Sequence, residues 1–271
     1  MTKHNTLADS RPHQSTRWMS PVSYWLPRHY VASAWHEHAP FASWLVDALR
    51  PRVIAELGTH NGFSFFVFAE AVKRLGLETE LYALDSWEGD DQAGFYGNSV
   101  FEAVQGIVKS DYPEQAHLLR GRFDASVSHF CDGDIDLLHI DGRHGYKDVA
   151  ADFQAYRSKL SSRAVVVFHD TNEFQEGFGV HRFWNELSAG FPSFNFLHGH
   201  GLGVLAYGAE TPQPLLEFLN EATKAADEIR ETYQTLGAQV SRQFVLEVDH
   251  FALIHELRLR VIALEEQARV G

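Results

Sequence analysis

The run Val53-Ile-Ala-Glu-Leu-Gly-Thr-His-Asn-Gly62 constrains this chain more than any other stretch. Five residues suited to a buried strand pass straight into a turn punctuated by two glycines, and a helical run, Phe63 to Leu75, follows at once. Glycine lets the backbone approach a ligand closely, and the N-terminus of the following helix presents unpaired N–H groups. Strand, tight turn and helix in that order make a cofactor loop. Taken alone, the same pattern is also that of a plain structural strand-to-helix turn.

Composition narrows the class. At 271 residues, 45% hydrophobic and 13% aromatic, the chain can bury a full core. A net charge of −13 argues against nucleic acid or an anionic membrane surface, both of which are gripped by basic patches, and favours small molecules or neutral sugars. The single cysteine, Cys131, allows no intrachain disulfide, so a reducing cytoplasm is the expected location. Met1-Thr2-Lys3-His4 leads into no apolar signal core, and no run of about eighteen apolar residues offers a membrane span.

Three regions are expected: an irregular arm over 1–34, a sheet domain over 35–208 and a helical appendage over 209–271. Apolar positions from Phe41 to Leu49 recur at helical spacing until Pro51. Beyond them, strands are expected at Val53–Leu57, Glu80–Leu84, His117–Leu119, Ile135–Ile140 and Ala164–Phe168. Helices are expected at Phe63–Leu75, Val100–Lys109, Asp124–Phe130 and Tyr146–Leu160. This alternation implies an α/β, doubly wound, Rossmann-like parallel sheet with ligands beyond the carboxyl ends of its strands. The last two strand-like runs, Phe194–Leu197 and Leu202–Tyr207, are joined by His198-Gly-His-Gly201, too short for a crossover helix, and so form an antiparallel hairpin. A mostly parallel sheet that ends this way is the layout of class I methyltransferases; dinucleotide dehydrogenases stay parallel to the edge. In the appendage, helices are expected at Leu215–Ala226 and Gln239–Val270, with Leu257, Val261 and Leu264 spaced as a heptad-like seam for dimerisation or for docking a neighbouring domain.

Glu56, two residues before Gly58, is out of place in a phosphate cradle. It suits S-adenosylmethionine (SAM), which carries an ammonium and a sulfonium and no phosphate, either directly or by ordering the loop. Asp85 ends the second strand, where an acidic residue accepts both ribose hydroxyls; a turn or cap aspartate is the plainer alternative. Ser86 to Gly97 is a long glycine-rich acidic loop whose Trp87, Phe95 and Tyr96 offer faces to a sugar or adenine, and Phe123 and Asp124 are placed to contact adenine. The expected cofactor residues are therefore Glu56, Gly58, Thr59, Asn61, Gly62 and Ser64 in and after the loop. Asp85, Ser86 and Trp87 join them from the second strand end, with Phe123, Asp124 and Asp141 further on.

The fourth and fifth strands end in Asp141-Gly-Arg-His144 and His169-Asp170-Thr171. Asp141, His169 and Asp170 bring two carboxylates and an imidazole to adjacent strand ends, a set suited to magnesium or another hard divalent ion. The same aspartates are also good turn formers. His144 lies within reach of such an ion and is the expected base, with Asp141 the second catalytic residue, for a hydroxyl that the metal acidifies.

The ordered set Ala55-Glu-Leu-Gly-Thr59, Leu84-Asp-Ser-Trp-Glu-Gly-Asp90, Ala93-Gly-Phe-Tyr-Gly97, Ile135-Asp-Leu-Leu-His-Ile-Asp-Gly142, Val167-Phe-His-Asp-Thr171 and Phe196-Leu-His-Gly-His-Gly-Leu-Gly203 resembles class I SAM-dependent methyltransferases related to the macrocin and mycinamicin sugar O-methyltransferases. The likeness spans about residues 35–208, and similar domains are found attached to bacterial glycosyltransferases. It implies methyl transfer from SAM to a hydroxyl, on a sugar, in an acid-and-metal site. Position by position, it makes Asp141 the first metal aspartate, sets His169-Asp170 in the place of an acidic pair, and matches His144 to the family's catalytic histidine. His169 departs from a pattern in which a carboxylate is common, which leaves it a neighbour of the ion or a ligand.

The expected protein is thus a metal-assisted O-methyltransferase acting on a glycan, nucleotide sugar or glycosylated natural product. A homo-oligomer or a glycosyltransferase partner is expected through the C-terminal helices. Three alternatives stay open: transfer to a non-sugar or nitrogen acceptor, a non-catalytic module that docks a glycosyltransferase, and a nicotinamide oxidoreductase. The last is disfavoured by Glu56, by the hairpin and by the lack of a compact G-x-G-x-x-G.

Overall fold

The computed structural model describes residues 18–90 and 94–270; half of the expected arm and residues 91–93 of the glycine-rich loop lie outside them. Seven strands form one sheet: β1 Val53–Leu57, β2 Glu80–Asp85, β3 Ala116–Arg120, β4 Ile135–Ile140, β5 Leu160–His169, β6 Ser193–Phe196 and β7 Leu202–Ala206. Their order is β3-β2-β1-β4-β5-β7-β6. Pairing is parallel from β3 to β5, and β7 runs antiparallel to both β5 and β6. This is the class I methyltransferase arrangement that the hairpin predicted. Strand order reverses between β1 and β4, and a crevice opens at their carboxyl ends.

Helices α1 Ala39–Leu49, α2 Phe63–Leu75 and α3 Asn98–Asp111 pack on one face, and α4 Phe123–Ser126, α5 Tyr146–Tyr156 and α6 Val180–Ser188 on the other. Alternation assigns the faces: Ile54 joins the first core, and Ala55 and Leu57 the second. All six residues of β4 are buried, as expected of a central strand covered on both faces. Its two polar members have partners. Asp136 accepts from the Arg52 backbone N–H (2.8 Å), the Arg52 guanidinium (3.0 and 2.9 Å) and Ser161 Oγ (2.6 Å). His139 Nδ1 lies 2.9 Å from Glu56 Oε2, both side chains fully enclosed.

Besides shifted bounds, such as β5 starting at Leu160 and α4 ending at Ser126, two elements differ from expectation. Helix α6 has no sequence counterpart above, although Val180, Phe183, Trp184 and Leu187 stand at helical spacing and Val180 and Trp184 are buried. The C-terminal segment is one run, α7 Gln213–Val270, kinked at Ala225 (φ −126°, ψ 32°), where two helices separated by a longer gap were expected. Its first half is part of the core: Leu215, Phe218, Ile229, Tyr233 and Val240 are buried, and Tyr233 donates to the Trp18 carbonyl (2.6 Å). Further along, Leu257 is 50% and Val261 53% exposed; the Leu264 side chain lies outside the described residues. No described helix is long and apolar enough to cross a membrane.

Candidate active site

The turn after β1 brings two strand ends together. Gly58 has φ 95°, and a Cβ there would fall on the Asp141 carbonyl oxygen, so the approach of β1 to β4 requires glycine. The Asp141 N–H donates to the Leu57 carbonyl (2.8 Å) across this junction. Asp85, at the end of β2, accepts from the backbone N–H groups of His60 (2.8 Å) and Trp87 (2.7 Å), and its carboxylate thereby ties both loops.

These ends form the floor of a cleft of about 840 Å³. Of the expected cofactor residues, Asn61, Asp85, Ser86, Phe123, Asp124 and Asp141 line it. Glu56, Thr59 and Ser64 do not; they are buried beneath the loop. Glu56 lies against His139 and Ser64, and burial pushes its carboxyl up despite His139, so it orders the loop from below. Trp87 corrects the expectation of stacking on a ligand. It is fully buried, its indole N–H donates to the His60 carbonyl (3.0 Å), and its ring packs edge-on to Phe101. Phe95 is 81% exposed and outside the wall, whereas Tyr96 lines the cleft beside the His60 ring.

At the other end, β4 and β5 deliver the acidic cluster. His144 Nε2 lies 3.0 Å from Asp170 Oδ2, and the His144 ring stacks on Phe178 at 4.6 Å. His169 Nδ1 lies 3.2 Å from Asp141 Oδ1 and 3.4 Å from Asp170 Oδ2, and its Nε2 lies 3.0 Å from the Gly199 carbonyl. A carbonyl only accepts, so Nε2 carries a proton, and Nδ1 donates to the carboxylates: His169 is an imidazolium. Burial opposes that charge, but Asp141 and Asp170 outweigh it and hold the imidazole well above its usual range. Burial likewise opposes charge on Asp141 and Asp170, and His169 turns both below the usual carboxylate range.

With Nε2 against the Gly199 carbonyl and Nδ1 against the carboxylates, His169 stands outside the compact candidate set. The ligand atoms of Asp141, His144 and Asp170 all lie within 4.8 Å of one another, and that set can hold a divalent cation. His144 is pulled by burial towards neutrality but held above its usual range by the Asp170 carboxylate. His60 (φ 48°), Asp170 (φ 58°) and His200 (φ 68°) all line the cleft in left-handed backbone, a strain that clusters at functional sites.

Several wall residues escaped sequence reasoning. Ala32 to Trp35 line the cleft, with the Ala32 carbonyl accepting from Asn61 Nδ2 (2.9 Å); nothing in their local pattern marks them. Phe178 stands between Gly177 and Gly179, a turn signal that marks its loop as shaped. Asp152 also belongs to the wall and was hidden in a helix that reads as a packing element.

Several known proteins are similar to this chain. A curated but uncharacterised protein, y4gI of Sinorhizobium fredii (strain NBRC 101917 / NGR234), is 50% identical over 183 residues, which are 68% of this chain and 20% of that protein, so the chain spans about a fifth of its relative's length. A methyltransferase from Geobacter sulfurreducens is similar in structure at 16% identity and TM-score 0.47, with 65% of this chain and 79% of that one covered. So is the O-methyltransferase TomG of Streptomyces achromogenes, involved in tomaymycin synthesis and solved with SAM, at 19% identity and TM-score 0.47, covering 66% and 82%. Residues 55–171, from β1 to the turn after β5, match the family model described as a methyltransferase domain. That match covers the residues that build the floor of the cleft.

Proposed function

We propose that the cleft binds SAM and that the chain methylates a hydroxyl, on a sugar, with a divalent ion at Asp141 and Asp170. The observation that carries this is the convergence of Asp141, His144 and Asp170 from two neighbouring strand ends in one cleft with Asp85. The residues fit the cofactor: the Asp85 oxygens retain lone pairs for a ribose diol, Phe123 offers a flat face, and the acidic lining suits a cation. Bound there, SAM would supply an electrophilic methyl, and the ion would acidify the acceptor hydroxyl. The chain's own residues do the rest. Asp141 and Asp170 would hold the ion, the His144 imidazole takes the hydroxyl proton, and Asp170 offsets the charge it gains. Alignment within the cleft supplies the remainder of the barrier reduction.

One observation favours a second form of the same chemistry. The His169 imidazolium already lies between the two carboxylates, where it supplies the positive charge that an ion would bring, leaving His144 and Asp170 as an acid–base pair. Chelator-treated protein separates the two: retained turnover removes the ion and keeps the pair. The test of the whole is a mass shift of one methyl when SAM and a panel of nucleotide sugars and glycans are supplied. Methylation of a non-sugar or nitrogen acceptor in place of these would redefine the substrate. No SAM binding by calorimetry would leave a non-catalytic module. The exposed stripe around Leu257 and Val261 would then serve, as it would in the enzyme, to hold a second copy or a glycosyltransferase.

A further inference from the structure

We propose that Asp152 reads the adenine edge of the cofactor as an uncharged carboxylic acid, donating its O–H to a ring nitrogen and accepting from the exocyclic amine. This rests on the SAM reading above and adds to it a residue that recognises the base.

One part of the cleft wall is built by Phe123 of α4, Gly142, and Ala151, Asp152 and Ala155 of α5. Ala151 and Ala155 stand four residues apart, on one helix face, and their small side chains leave room for a flat ring. Gly142 keeps the floor thin: a Cβ there would lie 2.6 Å from the Phe123 ring and 3.3 Å from Asp152 Oδ2. The result is a slot with an aromatic face and a carboxyl at its edge.

That carboxyl is partly buried and has no hydrogen-bond partner among the described residues. The charges around it are acidic or already committed. Asp148 faces it from the preceding turn of α5, and Asp124 from α4. Arg122 spends its guanidinium on both Asp124 oxygens (3.0 and 2.8 Å), and Arg143 lies 3.9 Å from Asp148. Tyr156, four residues further along α5, donates to the Phe123 carbonyl (2.8 Å). Burial first, then Asp148 and Asp124, push the Asp152 carboxyl up to about 7. Adenine presents an acceptor nitrogen beside a donor amine. A carboxylic acid is complementary to that pair, whereas a carboxylate sets its lone pairs against the ring nitrogen. An asparagine amide carries the same donor and acceptor without a titrating proton.

The test is calorimetry of S-adenosylhomocysteine with the chain at pH 6 and pH 8.5. Wild type should lose about tenfold in affinity over that rise, and Asp152→Ala should bind about tenfold more weakly at pH 6 with little further change. Asp152→Asn should bind at both pH values as wild type does at pH 6. Cofactor binding that ignores both pH and Asp152→Ala overturns this assignment alone, as does a pH dependence that survives in Asp152→Asn and so belongs to another group. Absence of binding by wild type at either pH overturns the cofactor reading, and this one with it.

Discussion

Strand β4 begins one residue before one aspartate and ends one residue before another, and the two meet opposite circumstances. Asp136 is 2% exposed and saturated, with Arg52 and Ser161 donating four hydrogen bonds at the amino edge of the sheet. Asp141, at the carboxyl edge, shares one imidazolium with Asp170 and turns the rest of its carboxylate to the cleft. Residue type and strand are the same, so the difference lies in the edge. Connections at the amino edge close over Asp136 with donors, while reversal of strand order at β1 and β4 leaves the other edge open to a ligand. A saturated carboxylate stabilises the fold; an incompletely satisfied one is available for chemistry.

The largest effect expected from breaking this contrast is on turnover. Asp141→Ala should lower the methyl-transfer rate by about 10³-fold or more while leaving affinity for S-adenosylhomocysteine within about twofold. Rate measurement beside calorimetry checks it, and an equal loss of both would make Asp141 a cofactor residue only. Next is Gly58→Ala, at the β1–β4 junction on the carboxyl edge. A side chain at φ 95° colliding with the Asp141 carbonyl should cost about 3 kcal/mol of stability and weaken cofactor binding together. Wild-type thermal stability in this variant would show that the strand ends have room to part.

Asp136→Ala should cost about 2 kcal/mol, mostly from the backbone N–H of Arg52 and the buried hydroxyl of Ser161 left without an acceptor, since the Arg52 guanidinium is exposed enough to rehydrate. Cofactor affinity at a permissive temperature should not change; a loss there would mean that the amino edge transmits to the site. The smallest effect is on pH. Burial opposes charge on Asp136, but Arg52 and Ser161 hold its carboxyl below the usual 3.8. A group lowered in the folded state stabilises above its unfolded pKa and loses that contribution as pH falls through the folded value. The stability gap between wild type and Asp136→Asn, read from urea midpoints, should therefore be constant near neutrality and narrow on acidification below 3.8. A gap that widens in acid would reverse the assignment.

Most of the architecture was legible because it depends on local patterns. β1 and α2 match their expected bounds, since an apolar run, Gly58, Gly62 and a helical stretch leave little choice. The hairpin followed from a linker too short to cross the sheet. Helix α6 was missed although its apolar spacing was present, and α7 was split because its polar middle hides how Ile229 and Tyr233 pack back onto the core. Asp85, Phe123, Asp141, His144 and Asp170 line the cleft because each stands at or shortly after a strand end, which the sequence shows. Trp87 was misplaced because an aromatic beside glycines looks the same whether it faces a ligand or the core. The surroundings of His169 were illegible for a related reason: the carbonyl beside its Nε2 comes from Gly199, thirty positions away, and no pattern around His169 announces it.

By itself, then, the chain determined the sheet, the hairpin and the positions at which acidic residues leave the strands, because side-chain periodicity and turn chemistry act over a few residues. Only the tertiary structure decided what those residues are. Asp136 became a structural anchor, Asp141 and Asp170 an open pair around a histidine cation, and Asp152 an acid in the wall of the cleft with no hydrogen-bond partner among the described residues. Protonation and ligand capacity depend on which donors and charges stand within a few ångströms, and here those come from segments distant in sequence.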